Sequence, residues 1–141
     1  MGIFDRFAGF LGESLRIKVN ANQAAKLDEQ TKSYIENLIQ SAQNGNVNAM
    51  FQLGVYYFNG QYVGYNPQEA CYWWTEAANR GSVGAQYNLG LLYDGEISTY
   101  YYDENLAGYW FNMAAANGDQ EARNMLNHYR YNNFTKRWSK I

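Results

Sequence analysis

The sequence is poor in cysteine, proline and charge. Its 141 residues include one cysteine, one proline and one histidine, and only 17% of them are charged. Because the single cysteine, Cys71, cannot form an internal disulfide, we exclude a disulfide-stapled extracellular scaffold and expect a reducing compartment. Hydrophobic residues nevertheless make up 47% of the chain and aromatic residues 18%, which excludes a disordered protein. The length fits one folded domain.

Long apolar segments are also missing. No run approaches the roughly 18 residues that a membrane-spanning helix needs, and residues 1–6 lack the cationic start of a secretory signal. We therefore predict no integral membrane insertion and no export by that route. Together with the lone cysteine, these absences predict a cytoplasmic location.

The few charges are distributed unevenly. Residues 1–40 carry five acids and five bases, residues 41–127 carry eight acids and two bases, and residues 128–141 carry four bases. An acidic middle repels a phosphate backbone, so we predict no nucleic-acid partner. A basic protein surface fits the middle better, and the basic tail can itself pack on the acidic body.

Two motifs recur along the chain. The pattern A-x-x-x-L-G-x-x-Y begins at Ala49 and again at Ala85, 36 residues later. The pattern A-x-x-W-x-x-x-A-A-x-x-G begins at Ala70 and again at Ala107, 37 residues later. A fixed period of this length indicates a repeat architecture with two full units.

Each half of a unit has the periodicity of a helix, since its landmark residues recur every three or four positions. Residues that cap helix N-termini stand before the predicted helices: Asn46, Asn66, Ser82, Asp103 and Asp119. Gly54 and Gly90 are expected to let two helices approach closely. Trp73 and Trp110 are expected to fill the space between units.

The flanking segments divide the chain into three parts. Residues 23–44 have an apolar stripe of helical spacing and are interpreted as the closing helix of a degenerate preceding unit. Residues 1–45 are therefore expected to form N-terminal helices, including this degenerate half-repeat, and residues 46–118 to hold the two repeats. Residues 119–141 are predicted to form a capping half-repeat followed by a basic tail, since terminal repeats are commonly atypical.

Within this last part, Ala122 and Leu126 keep the repeat spacing. In the tail, Phe134, Trp138 and Ile141 have the spacing of one helical face. The sequence thus predicts a helical C-terminus.

The landmarks of residues 46–126 resemble the Sel-one-like repeat family, a branch of the tetratricopeptide-type helical repeats. The resemblance implies an all-α fold, a right-handed α/α solenoid of antiparallel helix pairs with about two and a half repeats and flanking helices. It also implies a non-enzymatic module for protein–protein interaction, often bacterial. A regulator, an adaptor and an immunity-type inhibitor all fit.

The resemblance further implies that the first helix of each unit lines a concave groove. Partner binding then falls on the second face of these helices, which we expect to be partly exposed. The residues concerned are Asn48, Phe51, Val55, Phe58, Tyr87, Leu91, Asp94, Asn124, His128 and Tyr131. Aromatic side chains beside amides are typical of protein interfaces. The alternative is that the chain's own ends cover this stripe and make it core.

Chemical activity has little support in the sequence. The cysteine pairs of relatives for which hydrolase activity was suggested are absent. Cys71 and His128 fall in different units, so a nucleophile and base pair is not expected. The Asp94–Glu104 segment holds four acids but lacks the alternating oxygens of a calcium loop. We predict no enzyme activity, no metal site and no cofactor.

The N-terminal segment leaves one alternative open. Residues 1–17 have a broad apolar face that can lie on a membrane surface, as in a membrane-associated scaffold, or pack on the end of the solenoid. Their acids and bases balance, which favours packing. The sequence is also compatible with a homo-oligomer.

Overall fold

A computed structural model describes residues 21–141, with side chains described from Asp28 onward. Residues 1–17, which carry the membrane alternative, lie outside the described residues. The helices are α1 (Ala21–Gln43), α2 (Val47–Asn59), α3 (Pro67–Asn79), α4 (Val83–Asp94), α5 (Glu104–Ala116) and α6 (Gln120–Leu126). A short 3-10 turn (Thr99–Tyr101) precedes α5, and two strands, β1 (Tyr129–Asn132) and β2 (Arg137–Lys140), follow α6. None of these helices is long and apolar enough to cross a membrane.

The helices pair as the repeat predicts. Helix α2 packs on α3 and α4 packs on α5, while α3 also packs on α4, so the two units stack on each other. The predicted solenoid of helix pairs is confirmed. Helix α1 packs on α2 and contributes the buried residues Ile35 and Ala42.

Side-chain caps define where the helices begin. Oδ1 of Asn66 accepts a hydrogen bond from the backbone N–H of Glu69 at 3.1 Å, and proline occupies the first turn of α3. The same type of cap starts α2, α4, α5 and α6, at Asn46, Ser82, Asp103 and Asp119. Gly81, with φ +92°, supplies the left-handed conformation that the tight turn between α3 and α4 requires.

Bulky rings explain the two helical glycines of the repeat motif. A Cβ atom on Gly54 would lie 2.2 Å from the ring of Trp74, and one on Gly90 would lie 2.5 Å from the ring of Phe111. Both rings are fully buried. The tryptophans of the motif are buried as expected, but the residue after each of them makes the close approach to the glycine.

Helix α4 is covered on nearly all sides. Nine of its twelve residues are buried. In addition to α3 and α5, the chain end covers it, because Tyr87 and Leu91 pack in one cluster with Ala122 of α6 and Tyr129 of β1. The helix therefore lies in the core, and its buried polar side chains include Gln86 and Asp94, which bind groups of this chain.

The C-terminal tail differs from the sequence prediction. Residues 129–140 form an antiparallel hairpin in which Tyr131 pairs with Trp138. Aromatic residues favour strands, and Tyr129, Tyr131 and Trp138 share one face because side chains alternate along a strand. The prediction of a helical tail was wrong, and the all-α solenoid ends in a small β-ribbon.

The hairpin packs on α5. A Cβ atom on Gly108 would lie 2.5 Å from Cβ of Trp138, so this glycine lets the strand approach the helix. Trp138 donates its backbone N–H to Oδ1 of Asn105 at 2.9 Å, and Lys140 donates its backbone N–H to Oε2 of Glu104 at 3.1 Å. Side chains at the start of α5 therefore cover the outer edge of β2, which hinders pairing with another strand there.

Candidate protein-binding surface

Half of the predicted site residues lie in the core. Val55, Phe58, Tyr87, Leu91 and Asp94 are each less than 9% exposed. Val55 and Phe58 belong to the main hydrophobic cluster, and Tyr87 and Leu91 belong to the cluster formed with α5, α6 and β1. The expectation that this stripe is partly exposed is wrong for these five residues, because neighbouring elements cover it.

The other five predicted site residues are divided between the two ends of the molecule. Asn48 is exposed on α2, and Phe51 is partly buried against Gly84. Asn124, His128 and Tyr131 are exposed on α6, the following turn and β1. The structure therefore does not bring the predicted residues together as one surface. Tyr131 instead belongs to a different candidate site.

Tyr131 lines a groove between α5 and the hairpin. Tyr109, Asn112, Tyr131 and Trp138, which we call the aromatic groove, line an open depression with a volume of about 440 Å³. The ring centroids of Tyr131 and Trp138 are 5.1 Å apart, and Tyr109 packs edge-to-face on Trp110 at 4.9 Å. Tyr109 is 44% exposed and Tyr131 is 39% exposed, so both rings are accessible to a partner.

The first unit has a matching tyrosine outside the aromatic groove. Tyr72 stands 37 residues before Tyr109, packs edge-to-face on Trp73 at 5.0 Å and is 55% exposed. The hairpin packs on α5, so Tyr109 is joined by Tyr131 and Trp138, whereas Tyr72 is not among the residues that line the depression. Sequence reasoning missed Tyr109 and Trp138, although a tyrosine directly before each repeat tryptophan was a visible signal.

A buried carboxylate holds the hairpin in place. The side chain of Asp94, at the end of α4, is fully buried, and Nζ of Lys140 lies 3.0 Å from both of its oxygens. The hydroxyl of Tyr129 donates a hydrogen bond to Oδ1 of the same carboxylate. Burial, together with this contact, raises the pKa of Tyr129 above the usual 10.0, so its hydroxyl keeps the proton that it donates. Asp94, predicted to bind a partner, thus binds the chain's own tail.

A second tyrosine cluster lies near α1. Tyr34, Tyr56 and Tyr62 line a cavity of about 310 Å³ with Gln30 and Thr31. The hydroxyls of Tyr34 and Tyr56 are 3.3 Å apart, and Nε2 of Gln52 donates a hydrogen bond to the Tyr56 hydroxyl at 2.7 Å. Burial, followed by the hydrogen bond with Tyr34, raises the pKa of Tyr56. The Tyr34 and Tyr56 hydroxyls bind groups of this chain, so this cavity is less suited to binding a partner than the aromatic groove.

The lone cysteine and the lone histidine are on separate elements. Sγ of Cys71, on α3, lies 3.4 Å from the hydroxyl of Tyr93. Burial, followed by this contact, raises the pKa of Tyr93. His128 is exposed in the turn after α6. Cys71 and His128 thus lie on different elements, and the described contact of Cys71 is with Tyr93.

The acids of the Asp94–Glu104 segment are partly engaged in the fold. Asp94 binds Lys140, and Asp103 caps α5 through Oδ1, which accepts hydrogen bonds from two backbone N–H groups. Among the described residues, no three or more His, Cys, Asp or Glu side chains form a group that could hold a metal ion. The segment therefore serves the packing of α4, α5 and the hairpin.

These features define an α/α solenoid repeat protein with an exposed aromatic groove at its C-terminal end. The Sel1 repeat family model matches residues 47–82 and 83–119, just over half of the chain. The chain belongs to the Sel1 repeat family. Sel1 repeats generally mediate protein–protein interaction, and the family is generally a non-enzymatic scaffold.

Two of the solved structures that are similar to this chain are Sel1 repeat (SLR) proteins. A Sel1 repeat protein from Oxalobacter formigenes is 36% identical with a TM-score of 0.57, over 64% of this chain and 68% of that one. The second is c5321, a protective antigen present in uropathogenic Escherichia coli strains and displaying an SLR fold. It is 26% identical with a TM-score of 0.57, over 77% of this chain but only 28% of that one. Among curated proteins, none matches the sequence.

Proposed function

We propose that this protein is a non-enzymatic adaptor that binds a partner protein in the aromatic groove. The observation that carries the proposal is the exposure of Tyr109 and Tyr131 beside Trp138 in an open depression of about 440 Å³. Large aromatic rings supply most of the anchoring energy of protein interfaces, and they lose little conformational entropy on binding. The amide of Asn112 offers hydrogen bonds that fix a partner's orientation.

The fold also prepares this site for binding. Trp138 is held by its contact with Gly108 and by the hydrogen bond from its backbone to Asn105. Tyr109 lies on a helix whose opposite face is buried. Rings that are already fixed in the free protein need less ordering when a partner arrives, which raises affinity. Regulator, adaptor and immunity-type inhibitor are all roles that such a surface can serve.

The charges give little support to a strongly basic partner. Asp103 and Asp119 cap helices, Asp94 binds Lys140, and Glu76 pairs with Arg80 at 2.7 Å. Glu104 accepts a hydrogen bond from the backbone N–H of Lys140, so at least five of the eight acids in residues 41–127 are engaged by groups of the chain itself. The pairing of Asp94 with Lys140 and of Glu76 with Arg80 weakens the attraction that the acidic middle exerts on a basic surface.

Replacing Tyr109 is expected to weaken partner binding, whereas replacing Tyr72 is not. The partner is captured from the source cell with the immobilised full-length chain, identified by mass spectrometry and purified for titration calorimetry. Tyr109→Ala should weaken binding by about 30-fold or more, the effect of losing a central aromatic anchor. Tyr72→Ala, at the equivalent position of the other repeat, should change the affinity less than about threefold.

Each substitution removes a tyrosine ring that packs on a repeat tryptophan, so any loss of stability should be similar in the two variants. Each variant should melt close to the wild-type temperature, which thermal denaturation checks. An equal loss of affinity in both variants, or a larger loss for Tyr72→Ala, would place the partner elsewhere and contradict the proposal.

A further inference from the structure

Three cations near the C-terminus have no acidic partner in the part of the chain that the structure describes. The other described cations are engaged: Lys32 with Glu36, Arg80 with Glu76, Arg123 with Gln120 and Ala115, and Lys140 with Asp94. Arg130, Lys136 and Arg137 have no such contact there, and all three are exposed. Arg123 also lacks an acidic partner among the described residues, so three of the four unpaired positive charges in that part of the chain lie on the hairpin.

The hairpin register places these charges together. Arg130 pairs with Ser139 and Asn132 pairs with Arg137, so the two arginines are diagonal neighbours on adjacent strands. Side chains alternate along a strand, and Tyr131 and Trp138 face α5, so the arginines lie on the opposite, outer face. Diagonal neighbours lie about 7–8 Å apart, close enough for two guanidinium groups to contact adjacent carboxylates of one segment.

A defined turn presents an apolar ring beside these charges. Oδ1 of Asn132 accepts hydrogen bonds from the backbone N–H groups of Phe134 and Thr135, each at 2.9 Å. Lys136 follows with φ +56°. Phe134 is 95% exposed, the highest value among the large hydrophobic residues described as exposed. The turn therefore holds a phenyl ring in solvent next to three cations.

We propose that the outer face of the hairpin binds an acidic segment of the partner protein. This inference rests on the proposed function, since it supplies the chemistry of the partner. Carboxylates pair with Arg130 and Arg137, and an apolar side chain among them covers Phe134. Arginine forms paired hydrogen bonds with carboxylates, which gives this contact geometric specificity. The partner spans both faces of the hairpin, with its acidic segment outside and another part in the aromatic groove.

Charge favours a protein over nucleic acid as the occupant. Three clustered cations give only weak binding to the phosphate backbone of a nucleic acid. Residues 41–127, moreover, carry eight acids against two bases. Those acids repel a long polyanion that extends beyond the hairpin. A short acidic segment contacts only the hairpin and meets little of this repulsion.

The test uses a fluorescein-labelled peptide of aspartates and glutamates around a central leucine, followed by fluorescence anisotropy with the full-length protein. A second peptide has asparagine and glutamine in place of the acids. The wild-type protein should bind the acidic peptide at low salt, and the amide peptide should bind about tenfold more weakly or worse. Arg130→Gln with Arg137→Gln should weaken binding of the acidic peptide by about tenfold or more, and Phe134→Ser should weaken it to a smaller extent.

Arg80→Gln serves as the control, because it removes a cation from α3 that is already paired. Equal losses for the control and the double arginine variant would overturn the inference. So would tighter binding of a single-stranded DNA oligonucleotide, or of vesicles of phosphatidylserine and phosphatidylcholine, through the same two arginines. Circular dichroism confirms that each variant is folded.

The same assay separates this inference from the proposed function. One outcome is that the acidic peptide does not bind while Tyr109→Ala still lowers the affinity for the captured partner. That result would support binding in the aromatic groove and exclude the acidic segment. If the arginines bind the peptide but Tyr109→Ala does not change the affinity for the captured partner, binding in the aromatic groove is excluded. Binding of an acidic segment by the outer face of the hairpin is then supported.

Discussion

Replacing Lys140 with methionine is expected to lower the free energy of unfolding by about 3 kcal/mol. Methionine keeps the apolar stem of the side chain but leaves the fully buried carboxylate of Asp94 without its cation. Breaking a buried ion pair from one side generally costs about 3–5 kcal/mol, and the lower end applies because Lys140 is 35% exposed. Urea denaturation followed by circular dichroism measures the change.

Lys136→Met is the matched control, because Lys136 is exposed on the same hairpin and has no acidic partner among the described residues. It should change the free energy of unfolding by less than about 0.5 kcal/mol. Adding Asp94→Leu and Tyr129→Phe to Lys140→Met replaces the whole polar cluster with apolar groups and should recover most of the lost stability. Equal stabilities for Lys140→Met and Lys136→Met would show that the ion pair does not hold the hairpin.

Replacing Gly54 with alanine is expected to destabilise the protein by about 3 kcal/mol, although glycine to alanine in a helix usually stabilises by about 1 kcal/mol. The added Cβ atom would lie 2.2 Å from the ring of Trp74. That ring cannot easily move, because it is fully buried and its centroid lies 5.3 Å from that of the Phe58 ring. Its Nε1–H also donates a hydrogen bond to the carbonyl oxygen of Phe51.

Two comparisons isolate this clash. In a Trp74→Leu background the same alanine should cost much less, and a double-mutant cycle measures the difference. Gly84→Ala should be close to neutral, because its Cβ atom would meet only the partly exposed ring of Phe51, at 3.1 Å. Additive effects of Gly54→Ala and Trp74→Leu would contradict the packing described for the first unit.

The sequence predicts the solenoid well because the repeat residues show where each helix begins, ends and buries a face. Asn66 precedes a proline and caps a helix, and Gly81 ends one, whatever the rest of the molecule does. Helix periodicity and caps depend on neighbouring residues, so they can be read from one chain. The pairing of helices then follows from the period of the repeat.

The candidate site could not be predicted in the same way. The periodicity of α2 and α4 shows which residues share a face, but it does not show which faces other elements cover. Tyr87 and Leu91 are buried because α6 and β1 fold back over them, and this is a contact between distant parts of the chain.

The hairpin was missed because two periodicities fit the tail. Phe134, Trp138 and Ile141 have the spacing of one helical face. Tyr129 and Tyr131, however, are two residues apart, as are Trp138 and Lys140, and this is the spacing of one face of a strand. The anchoring of Lys140 by Asp94 and the fit of Trp138 on Gly108 favour the strand pairing, and neither contact is visible in sequence. The aromatic groove depends on this hairpin, so it was missed as well.

Hydrogen–deuterium exchange on the complex with the captured partner tests the position of the binding surface most directly. Backbone amides of α5 and of the hairpin, in residues 105–113 and 129–140, should exchange more slowly in the complex than in the free protein, because the partner covers them. Amides of α2, in residues 47–59, should be unchanged. Slower exchange in α2 with no change in α5 and the hairpin would contradict binding at the aromatic groove.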